Sequence, residues 1–364
     1  GTSLGTFAYR VNANAVTELN LLGNFGGTYR AVGDLYGIIL LPASATGKDI
    51  EEARKLLIDR GASDASTMTS IGAPWFNRSD IVEFKNANFP VLQSSSWAME
   101  GCSNMTSINT VNAPNCASFY GFWSDCQALQ SFPADSKLGT ETTNVNFQHA
   151  WRRNYALTAF PALDLSNGAI FTSAWQGCLA LQQFPADAKL GTEATSSVNF
   201  TSAWQASGLT SFSTALPTAI NLVSAFQSCS ALTSFSADLP LVVNLSQTWI
   251  NCSALTNFET TLPLMRVGPY AWQSCSSLGS FDTPLPKAEN LGASWRFCNS
   301  LIDFSADVFA NWNPAIIASG VFDATWIGCS ALSAISVENI LVGVSNSGKH
   351  ATTNGASGGS ALGD

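Results

Sequence analysis

A ten-residue motif, Trp-x-x-Cys-x-x-Leu-x-x-Phe, recurs between residues 75 and 335 and limits what this chain can fold into. One copy reads Trp249, Cys252, Leu255 and Phe258. With Leu as anchor, the copies fall at Ile81, Met105, Leu129, Leu157, Leu181, Leu209, Leu232, Leu255, Leu278, Leu301 and Leu332. The intervals are 24, 24, 28, 24, 28, 23, 23, 23, 23 and 31 residues. Units this short cannot bury an apolar face alone and must pack on their neighbours. The periodicity therefore predicts a solenoid of eleven coils over residues 73–336, not a series of separate globular domains.

Each unit has two halves. Ahead of the anchor, Asn244, Leu245, Trp249 and Cys252 place apolar residues at i, i+4 and i+7, the spacing of one face of a short helix. Asn is a favoured N-cap, because its side chain accepts a hydrogen bond from an unpaired first-turn amide. It recurs at Asn146, Asn199, Asn221 and Asn290. After the anchor, Phe235, Ala237 and Leu239 alternate inward with strand periodicity, and Pro240 ends the strand because it donates no ladder hydrogen bond. The expected fold is thus an α/β repeat solenoid, a coil stack with one parallel β-strand and one short helix per 23–31-residue repeat. At ~4.8 Å per strand its sheet extends on the order of 50 Å.

The motif absorbs Trp75, Trp123, Trp151, Trp175, Trp204, Trp249, Trp272, Trp295 and Trp326, and Phe226 takes the place of one further Trp. Trp97 and Trp312 stand outside it. Eight of the nine cysteines share one motif position: Cys102, Cys126, Cys178, Cys229, Cys252, Cys275, Cys298 and Cys329. Asn154 and Ala206 read as replacements for Cys in two coils, which suits a small buried slot better than a disulfide framework. A structural zinc would want close pairs such as Cys-x-x-Cys, and none occurs. Cys116 has no place in the motif.

The segments 226–232, Phe-Gln-Ser-Cys-Ser-Ala-Leu, and 326–332, Trp-Ile-Gly-Cys-Ser-Ala-Leu, resemble the BspA-like leucine-rich repeat over about 70% of the chain. Related repeats occur in bacterial and phage surface proteins. This sequence departs from them in its Trp and in a strand segment two residues longer before its Pro. The run Val337–Val342 with the Gly-rich stretch after it looks like a module that closes repeats in phage tail proteins. The resemblance implies a right-handed leucine-rich-repeat-like coil stack and a surface or virion protein.

Residues 129–141 return nearly unchanged at 181–193, so a two-coil unit was copied whole. Both copies contain a 28-residue coil, and its extra residues predict two loops on one edge, carrying Lys137 and Glu141 and then Lys189 and Glu193. Residues 1–72 do not follow the motif. They predict strands at 6–9 and 36–41 and a helix near 48–60 stopped by Gly61, forming an N-terminal cap or attachment region. Residues 337–364 read as a C-terminal cap and a Gly/Ser-rich tail. Ser360–Asp364 echoes 44–49, which predicts a longer parent protein, and the start at Gly1 reads as a processed, engineered or trimmed product.

Charged residues make up only 11% of the chain, with net charge −9, so Ser, Thr, Asn and Gln must cover most of its surface. That balance opposes binding to phosphate backbones, which needs clustered Lys and Arg. Lacking an apolar run long enough to span a bilayer, the sequence predicts no membrane insertion. His149 and His350 are the only histidines, too few for Ser-His-Asp or Cys-His catalysis. Both are expected on the surface, His149 within a helix. Asp135, Asp187, Asp238, Glu259, Asp282 and Asp307 fall near the outward side of the predicted sheet. They read either as a solvated face that protects the sheet from aggregation or as an acidic strip that recognises a glycan or a cation. Asp135, Asp187 and Asp238 occupy alternate coils, ~10 Å apart, too far for one shared ion. The five N-glycosylation sequons are expected by chance in a chain so rich in Asn, Ser and Thr.

The sequence thus predicts a non-enzymatic recognition or structural protein of a phage virion exterior, such as a tail fibre or tail tip. It has no catalytic residues, metal or cofactor. Its expected partners are a host cell-surface glycan or protein and other virion proteins, with a homo-oligomer as the assembly. A bacterial cell-surface adhesin and a polysaccharide-degrading tail spike are the alternatives. The spike would need a carboxylate pair in a groove.

Overall fold

The computed structural model describes residues 29–34, 37–42, 69–73, 75–84, 87–316 and 320–346. The expected strand at 6–9, the helix near 48–60 and the tail beyond 346 lie outside the described residues. Tyr29–Asp34 and Gly37–Pro42 pair as an antiparallel hairpin, which places the strand expected at 36–41. From residue 69 onward the chain forms a parallel β-solenoid of about ten turns, held by short ladders of two or three residues per coil.

One ladder runs through the motif Phe. Ser211 and Phe212 align with Ser234 and Phe235, and these with Asn257 and Phe258, all in parallel register one coil apart. The inward alternation continues past the two paired residues: Phe235, Ala237 and Leu239 are all buried. A second ladder uses the recurring Asn, through 145–146, 168–170, 198–199 and 219–221, and continues as single bridges Asn221–Asn244–Val267–Asn290. A third pairs Asn112–Ala113 with Lys137–Leu138 and Asp164–Leu165 with Lys189–Leu190, each time joining a 24-residue coil to the 28-residue coil that follows it.

The expected helix in each coil does not form. Its i, i+4, i+7 apolar residues sit instead on consecutive four-residue turns. The amide of Thr248 donates to the carbonyl of Leu245, and that of Cys252 to the carbonyl of Trp249, at 3.1 and 3.0 Å. The third residue of each turn has positive φ, Gln247 at 60° and Asn251 at 64°, the mark of a type II turn. The same pair, four residues apart, recurs in ten coils, from Trp97 and Gly101 to Ala324 and Gly328.

Coil spacing explains the choice. A helix with its side chains is ~10–12 Å across, whereas stacked strands repeat every ~4.8 Å. The motif rings repeat at 5.2–5.5 Å from Trp249 through Trp272 to Trp295. A ribbon of turns is one chain thick and fits that spacing. It also bonds the coils together: Leu245, Gln247, Trp249 and Asn251 donate their amides to Val267, Pro269, Ala271 and Gln273 of the next coil, at 2.7–3.0 Å. The Asn residues do cap amides, but those of the turns, since Asn199, Asn221, Asn244 and Asn290 each accept from the amide two residues ahead.

The core is a set of columns. Indoles stack nearly parallel from Trp123 through Trp151, Trp175 and Trp204 to Phe226, with centroids 5.0–5.5 Å apart and interplanar angles of 4–12°. A phenyl column runs beside them. Trp249 meets Phe235 and Phe258 edge to face at 4.8 Å, an arrangement worth ~0.5–1.5 kcal/mol per pair beyond area burial.

The nine cysteines are free and buried. Each motif thiol donates to the carbonyl of the Trp-position residue one coil earlier, as Cys275 does to Trp249 and Cys298 to Trp272. Burial pushes the Cys178 thiol up to about 12 and the Cys229 thiol to about 11. The replacement expected at Ala206 belongs to Ser207, whose amide donates to Trp204 and whose hydroxyl lies 3.3 Å from the Cys229 thiol. Trp204 precedes its anchor Leu209 by five residues where the other copies have six, and the missing residue is lost between Ser207 and Leu209. Trp312, outside the motif, is buried and donates its indole N–H to the Ala288 carbonyl at 2.7 Å.

A helix, α1 (Ala334–Asn346), closes the stack and is the only α-helix among the described residues. It lies over the last strand and substitutes side chains for a missing neighbour. The Ser336 hydroxyl accepts from the Phe304 amide at 2.8 Å and donates to the Ile302 carbonyl, while Asn339 donates to the Phe304 carbonyl. Covering a sheet edge in this way removes a template for aggregation.

Candidate functional site

All six candidate acids are exposed, and the coil geometry places them in two registers. Asp135, Asp187, Asp238 and Asp307 stand three residues after the motif Phe, where the alternation turns outward. Glu259 and Asp282 directly follow it. Thr110 donates to Asp135 at 2.7 Å and Thr261 to Asp238 at 3.3 Å, so these two carboxylates are oriented by the hydroxyl of an adjacent coil. No group of three or more His, Cys, Asp or Glu side chains among the described residues could hold a metal ion.

A shallow hollow of ~150 Å³ forms where the sheet meets α1. Asp282 and Asp303 line it, with Ser280, Ser305, Ile335 and Asn339. Of the six candidates, Asp282 alone lies there.

The residues inserted in the longer coils begin as strand and then turn outward. Lys137 and Lys189 are exposed, while Leu138 and Leu190 beside them are buried. Lys189 lies 3.7 Å from Asp164 across the ladder. Glu141 and Glu193 are exposed on the turns that follow. The two loops meet, because the side-chain Oδ1 of Asn144 accepts from the backbone amides of Thr195 and Ser196 at 3.1 and 3.2 Å. A contact spanning 51 residues makes the two sequence copies one surface feature.

Sequence reasoning missed an aromatic cluster on the turn side. Trp97, Tyr120 and His149 are half-buried and pack together: Trp97 and Tyr120 edge to face at 4.6 Å, Trp97 and His149 near-parallel at 6.0 Å, and Tyr120 and His149 at 5.6 Å. His149 is therefore a turn residue within an aromatic group, and not an exposed helix residue. Burial, with Arg152 and Arg153 nearby, lowers its pKa below 6.5. The signal available in the sequence was Trp97 itself, a tryptophan with no place in the repeat.

No family model matches the sequence, and no curated protein matches it. The chain is similar to the solved structure of a leucine-rich repeat protein from Bacteroides ovatus, at 17% identity and TM-score 0.34, over 73% of this chain and 81% of that one. A leucine rich cell surface protein from Faecalibacterium prausnitzii is similar at 16% identity and TM-score 0.33, over 74% and 76% of the two chains. A leucine-rich repeat protein from Eubacterium ventriosum is similar at 14% identity and TM-score 0.29, over 75% and 88%.

Proposed function

We propose that this chain is a non-enzymatic recognition protein of an exterior surface and, in its finer form, an appendage of a phage virion that contacts a host-cell glycan or protein. The observation that supports recognition is the distribution of its exposed carboxylates. They repeat along the solenoid from Asp135 to Asp307 in two registers, whereas small-molecule and catalytic sites gather polar groups in a concave pocket. A column bonded coil to coil presents such a surface in fixed geometry, which lowers the ordering cost of binding. The virion form rests on the repeat resemblance and on the run Val337–Val342 with the Gly-rich stretch after it; its partners are other virion proteins and its assembly a homo-oligomer.

The test is binding of the purified chain to intact host cells and extracted surface polysaccharide, alongside an assay for released reducing ends. Binding without release is expected. It should weaken when Asp135, Asp187 and Asp238 are replaced together by Asn. Failure to bind cells or glycans and to block infection would leave a structural role. Release of reducing ends that is abolished in Asp282→Asn would establish the hydrolytic spike instead. Capsid and tail genes beside this gene would favour the virion over a bacterial adhesin.

A further inference from the structure

We propose that Trp97, Tyr120 and His149 form a stacking platform for a neutral pyranose of a surface glycan, an inference that deepens the recognition reading and rests on it. The cluster is built by the coil register. Trp97, Gly121 and His149 occupy the same turn position in three successive coils, with φ of 56°, 60° and 58°. In later coils that position holds Ser173, Ser202, Ser224, Gln247, Tyr270, Ala293 and Ala324. A bulky non-glycine side chain at positive φ is a costly conformation, and the repeat elsewhere fills the position mostly with small or polar residues.

Gly121 makes the arrangement possible. A β-carbon there would lie 2.0 Å from the Trp97 ring, so the indole rests directly on the glycine backbone. His149 lies near-parallel beyond it, at 18° to the indole, and Tyr120 closes one side edge-on at 82°. The result is a ring surface that extends across three coils and is only partly covered.

Polar groups flank this surface. Gln148 lies 3.3 Å from His149 through their Nε2 atoms, and Arg153 pairs with Asp125 at 3.5 Å. Arg152 holds a side-chain hydrogen bond to Gln176 at 3.1 Å. Glu100 lies near Asp125, Arg152 and Arg153, and burial and then Asp125 raise its pKa against the lowering pull of the two arginines.

These features select the ligand class. The face of an aromatic ring is electronegative and its edge electropositive, so it attracts the polarised C–H face of a pyranose, while flanking amides, carboxylates and guanidinium groups match the hydroxyl rim. Two acids and two arginines leave the rim without net charge, which favours a neutral sugar over a uronic acid or a sialic acid. A single-stranded nucleic acid would also stack on rings, but it needs a basic groove along its backbone, and the chain carries net charge −9.

The probe is a β-1,4-linked glucose hexamer, whose rings offer a continuous C–H face, titrated into the full chain, with polygalacturonate as the charged control. Protein labelled with 5-fluorotryptophan reports on Trp97, whose resonance is assigned by its loss in Trp97→Phe. The expected result is saturable binding that shifts the Trp97 resonance. Affinity should fall about tenfold or more in Trp97→Ala and in His149→Ala. Trp97→Phe should stay within about threefold of wild type, and Tyr270→Ala, in the same register elsewhere, should be unchanged. If Trp97→Ala misfolds, Gly121→Ala, which displaces the indole, and the resonance shift in wild type decide the matter. Unchanged affinity in Trp97→Ala and His149→Ala, stronger binding of polygalacturonate, or no binding of the hexamer overturns the platform. Cell binding that survives such a result leaves the recognition reading standing, and loss of both removes both.

Discussion

At the residue scale, the motif tryptophan carries a conflict. Its ring anchors the column, yet the indole N–H groups of Trp123, Trp151, Trp175, Trp204, Trp249, Trp272, Trp295 and Trp326 are buried without a hydrogen-bond partner. An unpaired buried donor costs ~1–3 kcal/mol, while the lost ring area in a Phe costs about as much. Trp249→Phe is accordingly expected to change stability by no more than about 1 kcal/mol, a substitution the chain already makes at Phe226. Trp249→Ala should cost about 3–5 kcal/mol. Urea unfolding midpoints of the two variants test the pair, and an equal loss in both would show that the indole nitrogen is satisfied. His149 gives a second residue-level expectation. Its folded pKa lies below the 6.5 of the free side chain because of burial and the neighbouring arginines. As pH falls below about 6.5 the unfolded chain takes up this proton first, so stability declines until the folded pKa is passed, and it is flat above. The His149→Gln variant should lack that part of the slope between pH 7.5 and 5.5 in urea midpoint measurements.

At the scale of the element, the turn ribbon and α1 both depend on side chains that complete backbone hydrogen bonds. Asn244 accepts from the amide and the hydroxyl of Ser246, at 3.0 and 2.7 Å. Asn244→Ala should cost about 1 kcal/mol, the usual value of a lost cap, and Asn244→Asp should recover most of it. In α1, Ser336 and Asn339 together satisfy an amide and two carbonyls of the final coil. The double variant Ser336→Ala/Asn339→Ala should raise amide exchange in residues 302–304 well above that in residues 234–235, because stability in a repeat stack is local. Uniform exchange along the stack would show that α1 is not the closing element. Both elements were half legible. The Asn residues read correctly as amide caps, and the apolar spacing as one buried face. The same i, i+4, i+7 pattern suits a helix at 3.6 residues per turn and four-residue turns alike, so nothing local in residues 244–252 distinguishes the two.

At the scale of the whole molecule, a column of near-equal coils should tolerate the loss of one. Residues 232–254 comprise one complete 23-residue coil, and removing them joins Ala231 to Leu255 within an identical Ser-Ala-Leu context. The shortened chain is expected to fold, keep its near-ultraviolet tryptophan signal and unfold at a modestly lower temperature, since stability sums over repeats and their interfaces. An aggregated product would mean that the columns act as one indivisible core. The sequence by itself determined the repeat, its range of lengths, the buried Trp, Cys, Leu and Phe columns, and the strand register set by the recurring motif, because like units must stack to bury like faces. The tertiary structure decided what stacking imposes from outside a unit. The ~4.8 Å spacing between coils excludes a helix and selects turns whose outer amides bond to the next coil. Ser207, and not Ala206, fills the cysteine slot because its amide reaches the Trp204 carbonyl. Trp97, Tyr120 and His149, separated by 23 and 29 positions in the chain, meet because successive coils bring into line the turn register of Trp97, Gly121 and His149, with Tyr120 beside it.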